Sequence, residues 1–483
     1  LHRPRGRGGV MTVHVAGRDV AISPRSVAQL FLDEVRGTPR ALKAWYGFLL
    51  GLMAVGAVGA LFTIIPGAET FGTTPSFEWG LLIAAYAFFA ITTSGLCLGS
   101  SLGTVFGIDM FRPLEKRHAI LAVLTLTTAF GVIALDLHYP VRLVFGAVFN
   151  PSLGSPMWWM GVFYGVYLVF LLVEVWSMFF NHHAIHRYAC LASSCTAVLA
   201  PSTLGAVFGV LANRSYWFGL FTPVAMLATA LLSGSALLGI VFMIVVRKRL
   251  AGYERARRLG IPAIRALLLV ALAAGIVLIL RGLIVGWLSD DPLLRDAVAA
   301  QLTGPLAIPF WTRTIVGLAV PLVLLLLPQG RTATGVGAAA LLIFAGVLVD
   351  RMTFVSAGQI IPATTVGGVV SDPYVEYTPS PVEIAIVLGA LGFFGFMYTL
   401  AERYLDMSEP DAHVAFHLPR IVWTTWHRLT TRRPAAEVAM AASATAMQPS
   451  DALVPASSGA APVLGGGDGV AESGTDDEAG GQA

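Results

Sequence analysis

Charged residues are scarce in this chain of 483 residues. They make up 12% of it, whereas hydrophobic residues make up 56%. A soluble globular domain carries about 25% charged residues, so this composition excludes a large soluble protein and predicts a polytopic membrane protein. The formal net charge of +3 forms no basic patch on a soluble domain, which excludes a nucleic-acid partner.

Cysteine is equally scarce, and histidine is absent from the middle of the apolar runs. The three cysteines, Cys97, Cys190 and Cys195, form no Cys-x-x-Cys or Cys-x-x-Cys-His motif, which argues against an iron–sulfur cluster or a c-type haem. A b-type haem between helices needs paired histidines at matching depth, and none of the ten histidines lies mid-span. We therefore expect no haem, no iron–sulfur cluster and no catalytic metal in this chain.

Long apolar runs make up most of the sequence between residues 44 and 402. Each is close to the length of about 20 residues that crosses a bilayer as a helix. Helices are expected because lipid leaves no partner for open backbone groups. The sequence therefore predicts an all-α polytopic membrane protein with ten transmembrane helices. The predicted spans are 44–65, 79–106, 118–138, 157–180, 187–211, 218–246, 264–288, 306–328, 334–355 and 380–402.

The distribution of basic residues predicts the orientation of the spans. Of 31 lysines and arginines, 25 fall in segments on the side of the N-terminus. The loops on the other side contain three, Arg142, Arg214 and Arg295. Because cytoplasmic loops carry the excess of lysine and arginine, we expect both termini in the cytoplasm and the protein in a bacterial cytoplasmic membrane.

Four segments differ in composition. Residues 1–43 form a basic cytoplasmic segment without the apolar stretch of a cleavable signal peptide, and Met11 is an alternative start. Residues 44–405 form the ten-helix transmembrane domain. Residues 406–433 are a basic, aromatic-bearing segment suited to the inner membrane surface. Residues 434–483 are acidic and rich in Ala, Gly and Ser, which predicts a disordered tail.

Ionisable residues inside the spans indicate candidate sites. An acid at the bilayer centre costs about 2.5–3.5 kcal/mol on insertion scales, so it needs a partner or a function. Glu174 lies towards the cytoplasmic end of the fourth span, whereas six residues lie towards the outer face. For five of these six, ion pairs that hold helices together are the favoured interpretation. The five are Arg281, Arg313, Asp350, Arg351 and Glu383.

The sixth outer residue, Asp136, is the strongest candidate for function. His138, Tyr139 and Arg142 follow it in a short outer turn broken by Pro140. A carboxylate, an imidazole and a phenol together can exchange protons and bind a carbonyl or hydroxyl group, which suits a quinone head group. We predict catalytic roles for Asp136, His138 and Tyr139, and a role in quinone binding for these residues and Arg142.

Weaker candidates lie deeper in the spans. Thr92 belongs to a small-residue face of the second span, a pattern more typical of close helix packing. Ser202 and Thr203 follow the proline kink of the fifth span. These three residues are predicted to line the quinone pocket. A proton path from Glu174 to Asp136, helped by Tyr164, Tyr167 or Ser194, is one hypothesis; a single acid bonded to a neighbouring helix is the alternative.

Several short motifs, taken in order, resemble the NrfD/PsrC family of quinone-interacting membrane subunits. The signature of its third span reads roughly Leu-Asp-Leu/Val-Gly-Arg-Pro/Tyr, and Leu135-Asp136-Leu137-His138-Tyr139-Pro140 is similar to it, with His-Tyr in place of Gly-Arg. The order resembles most closely the ten-span HybB-type branch over residues 44–405. Further matching motifs are Phe149-Asn150-Pro151-Ser152, Glu174, Leu280-Arg281-Gly282, Pro309-Phe310-Trp311, Arg351-Met352-Thr353 and Pro381-Val382-Glu383.

This resemblance implies an architecture and a set of partners. It implies two four-helix bundles, spans 2–5 and 6–9, flanked by spans 1 and 10. The substrate would be menaquinone or ubiquinone, bound in the first bundle near the outer face. Electrons would pass between it and a ferredoxin-like iron–sulfur subunit at that face. Beyond that subunit would lie a molybdopterin enzyme or a nickel–iron hydrogenase. Whether protons are translocated and which way electrons flow stay open.

Two other classes fit the same topology. A ten-span secondary transporter would carry broken helices at matching places in two halves, and prolines interrupt the predicted fifth and eighth spans. A membrane anchor without a functional quinone site would keep the fold and the partners but would bind no quinone.

Overall fold

A computed structural model describes residues 11–15, 18–22, 38–64, 70–104, 115–137, 151–180, 182–247, 254–362, 374–405 and 407. All described elements belong to a unit that extends over Leu1–Trp423, and the second unit, Thr424–Ala483, lies outside the described residues. The predicted segments 406–433 and 434–483 therefore stay predictions.

A small β-hairpin precedes the helices. Strand β1 is Met11–Val15 and strand β2 is Arg18–Ile22, and they pair antiparallel with Met11 opposite Ile22. Sequence analysis did not predict this hairpin within the basic N-terminal segment.

The rest of the described chain is mainly helical, and ten helical segments in it are long and apolar enough to cross a membrane. This confirms the all-α membrane fold. The first seven are the helices α1 to α7. The short helix α8 follows, α9 to α10 make the eighth span, and α11 and α12 are the ninth and tenth. Their bounds are α1 Arg40–Ile64, α2 Leu81–Thr104, α3 Glu115–Asp136, α4 Pro156–Phe179, α5 His183–Gly209, α6 Phe221–Arg247, α7 Glu254–Leu288, α8 Pro292–Leu302, α9 Ala307–Trp311, α10 Val320–Leu326, α11 Ala333–Ala357 and α12 Pro381–Tyr404.

The bounds agree with the predicted spans to within a few residues except at the start of α7. This helix begins at Glu254, ten residues before the predicted start of the span at 264. Its first turns are rich in arginine, so hydropathy does not count them as membrane-spanning. Backbone hydrogen bonds of a helix do not require apolar side chains, and the helix therefore continues past the edge of the apolar run.

The spans pack as two bundles, as predicted. Helices α2, α3, α4 and α5 form the first bundle, and α6, α7, the eighth span and α11 form the second. Helices α1 and α12 pack against each other, and α12 also contacts α3. We call the side with the first residue of α1 the near face and the opposite side the far face. The lysine and arginine distribution predicts that the far face is the outer one.

Helix α2 joins the two bundles, because it packs on α3 and α5 as well as on α6 and α11. A side chain at Gly95 would overlap the backbone of Ala230 and Gly234 on α6. The small-residue face of α2 therefore serves close helix packing, as the pattern indicated.

The eighth span is not a uniform α-helix. Residues Thr312–Ala319 between α9 and α10 form a π-helical segment. Pro321 has no backbone N–H and its ring crowds the carbonyl four residues earlier, that of Gly317, so a wider turn accommodates it. Gly317 also packs directly on the backbone of Gly346, which brings α11 close.

A matching break is missing from the fifth span. Helix α5 continues from His183 to Gly209 with Pro201 inside it. The paired helix breaks expected of a transporter therefore do not occur in these two spans.

Candidate functional site

The far end of the first bundle holds the predicted catalytic carboxylate. Asp136 is the last residue of α3 and is half-buried. It interacts electrostatically with Tyr377, which lies in the segment before α12. His138, Tyr139 and Arg142, predicted to accompany Asp136, lie outside the described residues. The structure therefore brings Asp136 within electrostatic range of a phenol that was not predicted from the sequence.

Glu383 organises the hydrogen bonds beside this phenol. Its buried carboxylate accepts from the backbone N–H groups of Gly72 (3.0 Å), Leu81 (3.3 Å) and Ser380 (2.8 Å). It also accepts from the Tyr377 hydroxyl at 2.8 Å. With Ser380 it forms a capping box at the start of α12. Among the described residues Glu383 forms no ion pair; its carboxylate caps α12 and also binds the start of α2.

Tyr377 bridges α2 and α12 through the same network. Its oxygen accepts the Leu81 N–H at 2.6 Å while its hydroxyl donates to Glu383. Burial raises the pKa of the Tyr377 phenol, and the negative charges of Glu383 and then Asp136 raise it further. The phenol therefore stays protonated through the neutral and mildly alkaline range and keeps its O–H as a donor.

A glutamine and two tryptophans form a second group of contacts at the far face. The side chain of Gln359 donates to the Trp79 carbonyl and accepts the Trp79 N–H, both at 2.9 Å. Trp79 stacks on Trp217, with ring centroids 5.2 Å apart, and the Trp217 indole N–H donates to the Phe354 carbonyl. Sequence analysis missed Tyr377 and Gln359, because their partners lie about 280 to 300 residues away in the chain.

Glu174 was predicted to be the cytoplasmic end of a proton path. It is fully buried in the first bundle, close to the side of the near face. Its Oε2 accepts from the Ser193 hydroxyl on α5 at 2.5 Å, and its Oε1 has no partner among the described residues. Sequence analysis named Ser194, but that hydroxyl donates to the Cys190 carbonyl of its own helix. The hydroxyl that reaches the acid is one residue earlier, because Ser193 faces the bundle and is fully buried.

Polar groups extend from Glu174 in both directions. Towards the near face, the His186 ring bonds Glu115 across α5 and α3 at 2.7 Å. Towards mid-membrane, the Tyr167 hydroxyl donates to the Thr93 carbonyl at 3.0 Å, and the Thr93 hydroxyl contacts that of Thr125 at 2.8 Å. The hydrogen bonds of the described residues do not continue from there to Asp136.

The hydroxyl groups of the three weaker pocket candidates, Thr92, Ser202 and Thr203, donate hydrogen bonds within their own helices. The Thr92 hydroxyl donates to the Phe88 carbonyl at 2.6 Å. The hydroxyls of Ser202 and Thr203 donate to the carbonyls of Val198 and Ala200 at 2.7 and 2.8 Å. Each hydroxyl oxygen retains an acceptor lone pair, but its proton is not free to donate to a ligand in this arrangement.

The far end of the second bundle contains an ion-pair network. Asp350 on α11 accepts from Arg313 of the eighth span and from its neighbour Arg351. Arg313 also donates to Gln301 of α8 at 3.3 Å. The ion-pair interpretation is correct for these three charged residues. Arg281 differs: its guanidinium lies over the Phe221 ring, 3.4 Å from the ring centroid.

A cavity of about 420 Å³ adjoins this network. In the described part of the chain, no group of three or more His, Cys, Asp or Glu side chains is arranged to hold a metal ion. The fold and these sites define a multi-pass integral membrane protein with polar clusters at the ends of two four-helix bundles.

Comparison with known proteins identifies the family. The family described as "Polysulphide reductase, NrfD" matches residues 69–363, more than half of the chain. This chain belongs to the NrfD family, as its motifs indicated.

Two relatives among characterised proteins cover most of the chain. A selenate reductase subunit of Mesobacillus selenatarsenatis is 22% identical over 417 residues, which are 77% of this chain and 96% of the relative. An Hdr-like menaquinol oxidoreductase integral membrane subunit of Archaeoglobus fulgidus is 25% identical over 376 residues, 74% of this chain and 92% of the relative. Both relatives are thus described as subunits of a reductase or an oxidoreductase, and the Archaeoglobus relative is described as an integral membrane subunit.

Proposed function

We propose that this protein is the quinone-reactive membrane subunit of a respiratory oxidoreductase complex. It exchanges electrons between the membrane quinone pool and a peripheral iron–sulfur subunit on the far face, taken as the outer face. Family membership and the menaquinol oxidoreductase relative support this function. A ferredoxin-like subunit passes the electrons to or from a catalytic subunit, a molybdopterin enzyme or a nickel–iron hydrogenase.

The position of Asp136 is the observation that carries the proposal. It is a half-buried carboxylate at the far end of an apolar helix. Quinol oxidation releases two protons, and a carboxylate at the edge of the membrane can accept one and pass it to water. His138, Tyr139 and Arg142 follow Asp136 in the sequence, outside the described residues, and belong to the proposed site. Tyr377, whose hydroxyl donates to Glu383, holds the neighbouring start of α12 against α2.

Proton movement from the near face belongs to the same proposal. Glu174, Ser193 and the Glu115–His186 pair are proton-exchanging groups placed between the near face and the middle of the first bundle. Tyr167 and Thr93 extend this set towards the far face. We assign Glu174 to proton uptake or release coupled to quinone chemistry. Between Thr93 and Asp136, water would carry the proton.

The Asp136→Asn variant tests the proposal, since it preserves volume and most hydrogen bonding. Quinone-coupled turnover of the purified complex should fall by about 10²-fold or more, the usual scale of lost general acid–base catalysis. Activity of the catalytic partner with a soluble artificial redox dye should survive, because that route bypasses quinone.

Asp296→Asn is the matched control, since Asp296 is an exposed far-face acid on α8. It should retain the wild-type rate. A wild-type rate in Asp136→Asn would remove Asp136 from the site. The anchor alternative would prevail if the wild-type complex neither contained nor turned over quinone. Co-purification without any iron–sulfur protein would contradict the electron-transfer role.

A further inference from the structure

The cavity of about 420 Å³ lies in the second bundle and has the size of a ligand pocket, which ranges from about 300 to 1,000 Å³. Residues of α6, α7, α8, the eighth span and α11 line it, together with the segment that leads into α6. None of the described residues assigned above to quinone or proton chemistry lines it. A ligand bound in this cavity would therefore be separate from the proposed quinone site.

The charge of the cavity favours an anion. Among the described lining residues, Arg281, Arg313 and Arg351 are basic and Asp350 is the one acid. Asp350 is shared between Arg313 and Arg351, so one carboxylate opposes two guanidinium groups. Arg281 contributes a third positive charge and stacks on Phe221. The site thus has a formal excess of positive charge next to lipid, where an unbalanced charge is costly.

Arg313 retains an unused donor. Its Nη1 and Nη2 bond Asp350 and Gln301, whereas its Nε–H has no hydrogen-bond partner among the described residues. The residue is 7% exposed, and a buried unpaired donor of a charged group carries a desolvation cost. A modest shift of this side chain towards an oxyanion would satisfy the donor and balance the charge at once.

Arg281 and Arg313 lie about two helical turns below the far-face ends of their helices. Arg281 is seven residues from the end of α7, and Arg313 is six residues from the start of α9. At 1.5 Å per residue, each lies about 10 Å from the far-face end of its helix. The 20-residue eighth span is about as long as a hydrocarbon layer of about 30 Å is thick, so Arg313, which lines the cavity, lies below the head-group boundary. An anionic group must therefore enter the cavity from the far face to meet it.

The remaining walls are apolar and suit an acyl chain. Leu278, Ile279 and Leu283 of α7 line the cavity together with Leu318 of the eighth span. Helix α7 packs chiefly on α6 and makes only sparse contacts with the eighth span. The second bundle is therefore least tightly closed between α7 and the eighth span, beside these apolar side chains.

We propose that this cavity binds an anionic phospholipid, with Arg281 and Arg313 holding the phosphate and one acyl chain between α7 and the eighth span. The inference does not depend on the quinone function. The charge excess favours a phosphate-bearing lipid of net negative charge over a zwitterionic lipid, because the zwitterion brings its own cation.

Lipid add-back to the delipidated protein tests this proposal. Native mass spectrometry should show phosphatidylglycerol retained at about one molecule per chain, and add-back should raise the thermal unfolding midpoint. Phosphatidylcholine should bind at least about tenfold more weakly, the scale of a lost charge-assisted contact. Inorganic phosphate alone should give no shift at comparable concentration, because it lacks the chain.

The Arg281→Gln variant should weaken phosphatidylglycerol binding at least about tenfold, and Arg281→Lys should retain most of it. Arg295→Gln is the matched control, an exposed far-face arginine on α8 that does not line the cavity; it should bind like wild type. Equal binding of both lipids, an equal effect of free phosphate, or unchanged binding in Arg281→Gln would each overturn the proposal. Displacement of the lipid by a short-chain menaquinone would also overturn it and reassign the cavity to quinone.

Discussion

Arg313 of the eighth span and Asp350 of α11 form an ion pair that joins these two spans at the far end of the second bundle. The π-helical segment carries Arg313, and the contact between Gly317 and Gly346 lets the two backbones approach. A local break in one helix thus places a charge where its partner can balance it. Arg351 binds the other carboxylate oxygen, so the acid is enclosed by two cations.

Removing the charge of Asp350 should destabilise the second bundle. Asp350→Asn leaves Arg313 and Arg351 without their counter-charge in a buried site, and breaking such a pair costs about 3–5 kcal/mol. The free energy of unfolding in detergent measures this loss. Asp296→Asn, at an exposed acid of α8, should change it by less than about 0.5 kcal/mol. Equal effects of the two variants would show that the ion pair contributes little.

Glu174→Gln tests the proton route in the first bundle. The amide keeps the shape and can still accept from Ser193, so the protein should fold and transfer electrons. Protons translocated per electron in reconstituted vesicles should fall sharply, because a glutamine cannot bind and release a proton. Glu376→Gln, at an exposed loop residue, provides the control. An unchanged proton-to-electron ratio would leave Glu174 as a structural acid.

Gly95→Ala should disrupt the contact between the bundles. The added methyl group would overlap the backbone of Ala230 on α6, and overpacking of this kind costs about 1–3 kcal/mol or more. Gly131→Ala on α3 is the matched control, since its added methyl meets no atom within 4 Å. It should be neutral or stabilising by up to about 1 kcal/mol, the helix-propensity gain. Thermal unfolding of the two variants should therefore shift in opposite directions or by clearly different amounts.

Tyr377 should contribute to alkaline stability in a defined direction. Its pKa is raised in the folded protein, so above the unfolded value of about 10 the unfolded chain loses this proton first. The contribution of Tyr377 is therefore complete below about pH 10 and decreases as the pH rises above it.

Tyr377→Phe should lower stability at neutral pH by about 1–3 kcal/mol through lost hydrogen bonds to Glu383 and Leu81. It should also reduce the loss of stability above about pH 10. Tyr374→Phe, in the same segment, is the control. A variant with the wild-type slope between pH 9 and pH 11 would contradict the assigned shift.

The distribution of lysine and arginine predicts cytoplasmic termini. A reporter fused after residue 433 should behave as cytoplasmic, and one inserted in the 356–379 segment as external. The inverse pattern would move Asp136 to the cytoplasmic face and invalidate the proposed outer quinone site, although the packing of the helices would be unchanged.

The sequence by itself determined the membrane class, ten spans and the family. In lipid, an apolar run of about 20 residues satisfies its backbone hydrogen bonds within the segment by forming a helix. These predictions therefore needed no tertiary contact. The start of α7 at Glu254 was not predicted, because the first turns of the helix are arginine-rich and have low hydropathy. The order of the short motifs along the chain was sufficient to indicate the family, which the family match confirmed.

Tertiary structure decided which polar side chains meet. Glu383 caps α12, and among the described residues its partners are Gly72, Leu81, Ser380 and Tyr377 and no cation. Ser193 rather than Ser194 binds Glu174, because consecutive residues of a helix lie on different faces and Ser193 is the one that faces α4. The cavity beside Arg313 depends on the π-helical turn and the glycine contact with α11. These features depend on distances between residues far apart in the chain, which hydropathy and spacing along one helix do not encode.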